Sequence, residues 1–153
     1  RSGCADHHAL YDLFSSALHI TRPEIDYSDF HHLLLSIVEI ELLIGVAQEL
    51  LYLGKSDLCY NICSQIASYL AIADIDYLKK DYLYAEYAIV YTKYLLEMKD
   101  YKKALSIADL HRHKMVQNSE DSPLLELTFL TSLGYYHTGE METAYIYFNK
   151  CIM

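Results

Sequence analysis

Ser132-Leu133-Gly134-Tyr135-Tyr136-His137-Thr138-Gly139-Glu140-Met141-Glu142-Thr143-Ala144-Tyr145-Ile146-Tyr147-Phe148 carries two helical patterns that meet at Gly139. Glycine there can take the left-handed conformation that stops a helix, and apolar residues at helical spacing resume directly after it. A similar turn stands at Gly54-Lys55-Ser56, and a break falls at Lys99-Asp100. Superimposing the three turns aligns three registers: Leu43, Ala47, Leu50, Gly54, Cys59, Cys63 and Ile66; Ala88, Thr92, Leu95, Lys99, Ala104, Ala108 and His111; Thr128, Ser132, Tyr135, Gly139, Ala144, Phe148 and Cys151. Small residues fall at the second and fifth places, where two helices must approach closely.

Outward from these turns the helical spacing continues, and strand alternation is absent. Helices are expected over roughly 5–19, 28–53, 57–73, 77–98, 101–117, 124–138 and 141–152. Ser28, Ser56 and Ser122 are candidate N-caps, and Pro123 suits a first helical position. The 153 residues, 53% hydrophobic with five Gly and two Pro, are expected to fold as one all-α domain. It would consist of a helix at 5–19 and hairpins over 28–73, 77–117 and 123–152.

The registers resemble the tetratricopeptide repeat, best at Ser132, Tyr135, Gly139, Ala144, Phe148 and Cys151. The spacings from Cys59 to Ala104 (104 − 59 = 45) and on to Ala144 (144 − 104 = 40) exceed the usual repeat of about 34. The resemblance implies a right-handed superhelical stack of antiparallel hairpins, a tetratricopeptide-like α-solenoid. Long Tyr-rich helices and phrases such as Tyr101-Lys102-Lys103-Ala104-Leu105 are similar to the sensor domains of Gram-positive peptide-responsive regulators of the Rgg type. That similarity implies a peptide-binding, dimerising domain attached to a helix-turn-helix region, which is not recognisable in this chain. A constitutive protein-binding scaffold is the rival from another class.

If the first helix of each hairpin lines a concave groove, equivalent offsets place Glu41, Glu86 and Glu126 along it as a carboxylate stripe. Such a stripe would suit a peptide's amino terminus or a basic side chain. Gln48, Tyr52, Lys93, Glu97, Tyr136 and His137 share that face by the same offset. Set against this, Glu is a good helix former that commonly sits on solvated faces. Tyr is abundant at 16 residues with no Trp, and Tyr84, Tyr87, Tyr91 and Tyr94 form one stripe that could meet a ligand or wedge between helices.

A net charge of −9 argues against this segment gripping nucleic acid. Apolar runs are broken well short of the roughly 20 residues of a membrane span. The pairs His7-His8, His31-His32 and His111 with His113 lack zinc-site spacing, and no metal or other cofactor is expected. No nucleophile elbow or phosphate-cradling loop is present, so no enzymatic activity is expected. The scattered Cys4, Cys59, Cys63 and Cys151 read as reduced thiols of a cytoplasmic protein. The partners expected are a short peptide or protein segment and a second copy in an isologous homodimer, with DNA reached only through another domain.

Overall fold

The computed structural model describes residues 6–118 and 121–152, and it is all-α: seven helices and no strand among the described residues. The helices are α1 (His7–Thr21), α2 (Ile37–Tyr52), α3 (Ser56–Ile72), α4 (Tyr77–Glu97), α5 (Tyr101–Asn118), α6 (Asp121–His137) and α7 (Met141–Ile152). They group into two compact units, Arg1–Ala73 and Asp74–Met153.

The three aligned turns are the same object. Gly54, Lys99 and Gly139 all have positive φ, at 82°, 62° and 86°. At each turn the amide of this residue donates to a carbonyl three back, and the next amide donates to one five back. The pairs are Gly54 to Leu51 with Lys55 to Leu50, Lys99 to Leu96 with Asp100 to Leu95, and Gly139 to Tyr136 with Glu140 to Tyr135. This is the Schellman stop, in which two orphan carbonyls are satisfied before the chain reverses. Lys99 follows it without being glycine. The following helix then begins two residues after each stop, and Cys59, Ala104 and Ala144 are buried as the register requires.

In unit 1, α2 packs on both α1 and α3 around Leu18, Phe30, Leu43, Val46, Ile62 and Leu70. The helix expected over 28–53 begins only at Ile37. Ser36 caps it, accepting from the Glu39 amide at 3.2 Å while the Glu39 carboxylate accepts from the Ser36 amide at 2.8 Å. Residues 22–36 form turns instead: Asp26 accepts from both the amide and the hydroxyl of Ser28, so Ser28 closes a turn and caps no helix. Ser56 likewise lies inside α3 and not before it. In unit 2, α4 packs on α5 and α6, α5 on α6, and α6 on α7. Because α6 starts at Asp121, Ser122 falls within it and Pro123 is its third residue, still in the first turn where no amide donor is needed.

Candidate functional site

Glu41, Gln48 and Tyr52 share one stripe of α2, and Gly45 completes it. Over that stripe lies α1. The Phe14 ring sits where a Cβ on Gly45 would be 3.1 Å away, and His7 stacks on Tyr52 with ring centroids 4.4 Å apart. His7 also hydrogen-bonds the buried Glu49 at 2.6 Å. A glycine at the centre of the stripe thus admits a neighbouring helix where an open groove was expected. Glu41 stays exposed, Gln48 half-buried and Tyr52 exposed at the edge.

In unit 2 the proposed groove residues point to different neighbours. Lys93 Nζ on α4 and Glu126 Oε2 on α6 pair at 2.7 Å, so the carboxylate expected to face a ligand is already matched by a cation. Glu86 is half-buried on α4 and Glu97 exposed near its end. His137 turns to α5, stacking on Tyr101 at 5.1 Å with the rings 8° from parallel. Tyr136 instead faces a cleft between α6 and α7.

That cleft has a volume of about 370 Å³ and is lined by Phe129, Leu133 and Tyr136 from α6 and Met141, Tyr145 and Phe148 from α7, with Ser132 and Ala144 at its floor. Its walls are almost wholly apolar. The 40-residue register (139 − 99 = 40) identifies these positions with ones in the preceding hairpin. Tyr101, equivalent to Met141, stacks on His137 of α6; Leu105, equivalent to Tyr145, meets Gly134 so closely that a Cβ there would lie 2.8 Å from its methyl. Ile89 is 4% exposed and its equivalent Phe129 40%; Ala108 is fully buried and its equivalent Phe148 44% exposed. The face that α4 and α5 turn inward is the face that α6 and α7 leave open. Of the residues lining this cleft, Tyr136 alone was among the expected groove residues, although large apolar residues at register places held by Ile89, Leu105 and Ala108 were a legible signal.

The tyrosine stripe resolves towards packing. Tyr84, Tyr87, Tyr91 and Tyr94 run ring to ring at 6.4, 5.7 and 6.1 Å. Tyr84 stacks on His111 of α5 at 5.6 Å, and Lys103 of α5 lies over Tyr91. Burial, with Lys114 nearby, brings His111 down to about 4 against the opposing pull of Asp81, so the ring is neutral at physiological pH. Cys59 and Cys63 are buried on α3, and the hydrogen bond that the Cys63 thiol donates to Cys59, together with burial, raises the Cys63 thiol. They pack as small apolar groups.

Among the described residues, one set of three ligand-type side chains converges: Asp29, His31 and His32, with their donor atoms all within 4.8 Å. His31 and His32 were expected to lack a metal's ligand set, and the turn brings Asp29 beside them. By contrast, His111 is buried against tyrosine and His113 is exposed. No helix among the described residues is long and apolar enough to cross a membrane.

Comparison of the chain with protein-family models, curated proteins and solved structures gives no match.

Proposed function

We propose that this chain is a helical-repeat binding domain that takes up an amphipathic segment of a partner, peptide or protein, in the α6–α7 cleft. The observation that carries this reading is the register: Phe129, Met141, Tyr145 and Phe148 occupy places whose equivalents one hairpin earlier include Tyr101 and Leu105, which pack against helix α6. A surface of that shape and apolarity favours a helix carrying a small residue, as α6 does with Gly134. Burying two or three such rings supplies several kcal/mol before ordering costs, on the order of 1.5–3 kcal/mol for each large apolar side chain.

In the wider reading, the hairpins stack in the right-handed superhelix of tetratricopeptide repeats. The domain then serves as the ligand-sensing and dimerising part of a cytoplasmic transcription regulator whose DNA-binding region lies outside this segment. Support for this comes from the three matched Schellman turns and the sequence resemblance to Rgg-type sensors. Ligand would act by shifting populations between two arrangements of the repeats. A constitutive scaffold would use the same cleft without that shift. Neither reading calls for catalysis.

Titration calorimetry against a panel of amphipathic helical peptides and short peptides of mixed charge tests the site. Tyr145→Ser and Phe148→Ser are expected to weaken a hit at least tenfold, while Glu41→Gln leaves it unchanged. Unchanged affinity in both cleft variants sinks the cleft. A hit weakened by Glu86→Gln or Lys93→Ala instead moves binding to the α4–α6 charged face.

A further inference from the structure

We propose that Asp29, His31 and His32 form a surface site for a divalent transition-metal ion of the nickel, copper and zinc group. The site is independent of the α6–α7 cleft. Asp29 Oδ1 lies 3.0 Å from His31 Nδ1 and 3.5 Å from His32 Nδ1. An ion bonded at about 2.1 Å to each donor separates neighbouring donors by about 3.0 Å in octahedral and about 3.4 Å in tetrahedral geometry. Each imidazole therefore stands from the carboxylate oxygen near the spacing that coordination imposes, and all three donors lie within 4.8 Å of one another. Two imidazoles and one carboxylate select borderline transition ions over magnesium or calcium, which take oxygen donors.

The backbone beneath the triad is held from a distant helix. Gln65 Oε1 on α3 accepts from the amides of Phe30 and His31, at 2.7 and 3.1 Å, and its amide nitrogen donates to the Tyr27 carbonyl. The Phe30 side chain, between the ligands in sequence, is fully buried. The Asp29 amide closes a turn onto the Asp26 carbonyl, and the Leu33 amide closes another onto the Phe30 carbonyl. Anchoring both sides of the triad lowers the ordering entropy that an exposed loop would otherwise lose on binding. All three side chains are exposed, so the remaining coordination positions belong to water.

Calorimetric titration of zinc chloride and nickel chloride into the untagged chain, with melting curves in parallel, tests the site. The expected result is one equivalent of metal and a raised Tm, because the ion meets its assembled ligands only in the folded chain. Asp29→Asn is expected to weaken binding at least tenfold, and His31→Asn with His32→Asn to abolish both the heat and the Tm shift. Since these side chains are exposed, far-UV circular dichroism should show the variants folded. His7→Asn and His113→Asn serve as controls that leave the titration unchanged. Binding that survives in the double histidine variant, or no heat up to millimolar metal, overturns the proposal.

Discussion

Units 1 and 2 use the same type of hairpin turn but are closed by different chemistry. In unit 1 buried carboxylates organise the interior: Glu39 accepts from the Ser36 amide, the Thr21 hydroxyl and Arg22 Nε, and Glu49 takes His7. In unit 2 rings do this, with the Tyr84–Tyr94 ladder on α4, His111 on α5, and Tyr135 stacked on Tyr147. The first arrangement ties the non-helical 22–36 segment to α2, since Arg22 also donates to the Leu34 carbonyl. The second holds helix to helix over long faces and leaves spare apolar area at α6–α7. The open apolar cleft accordingly belongs to unit 2, and acid sensitivity is expected in both units for opposite reasons.

The largest expected effect is at Glu39. Burial would raise its pKa, but the Ser36 amide, the Thr21 hydroxyl and Arg22 outweigh burial and bring it down to about 2 from 4.5. A carboxyl depressed in the folded state contributes stability above pH 4.5 that disappears as pH falls from 4.5 towards 2, a loss of about 3 kcal/mol. Glu39→Ala should destabilise the chain by about 3 kcal/mol at pH 7, because Thr21 and Arg22 lose their buried acceptor. Urea unfolding followed by circular dichroism reads both; a variant as stable as the parent would show that Glu39 does not hold unit 1 together.

His111 sets the corresponding window in unit 2. An imidazole whose folded pKa is near 4 must give up its neutral environment to bind a proton that the unfolded chain binds near 6.5. Its contribution is complete above pH 6.5 and falls away towards pH 4, about 2 kcal/mol being gone at pH 5. His111→Phe keeps the stack on Tyr84 and should flatten stability between pH 7 and 5; the same slope in the variant would assign the pH dependence elsewhere. Acidification is thus expected to weaken unit 2 before unit 1.

Smaller effects separate the turns. Lys99 holds φ 62° with a side chain, whereas Gly54 and Gly139 hold theirs without one. Lys99→Gly should stabilise by about 0.5–1 kcal/mol and Gly139→Ala destabilise by a similar amount, read as opposite shifts in Tm. Shifts of the same sign would mean that the two turns differ in more than their residue.

What could be read in the sequence follows from range. Gly54, Gly139 and the apolar spacing around them act within a few residues, so the helices and the three registers were visible, including the one broken by Lys99. The start of α2 was not. Phe30, Leu33, Leu34 and Leu35 continue a helical spacing, but Gln65 and Tyr69 on α3 take the amides of Phe30, His31 and Leu35 from more than thirty residues away. Glu41, Gln48 and Tyr52 share one side of α2 by helical spacing alone, yet the sequence does not show that Phe14 covers Gly45 between them. Lys93 and Glu126 were both named as groove residues, and their pairing across α4 and α6 is likewise a tertiary fact.

The shared Schellman stop also bears on how quickly the chain finds its structure. Each reversal is completed by hydrogen bonds spanning only three and five residues, and most helix packing joins neighbours in sequence, α4 with α6 being the longer-range case. Little loop entropy is lost before contacts form, which places such a chain among domains that fold on the microsecond-to-millisecond scale. The slower events should lie in residues 22–36, whose anchors wait for α3.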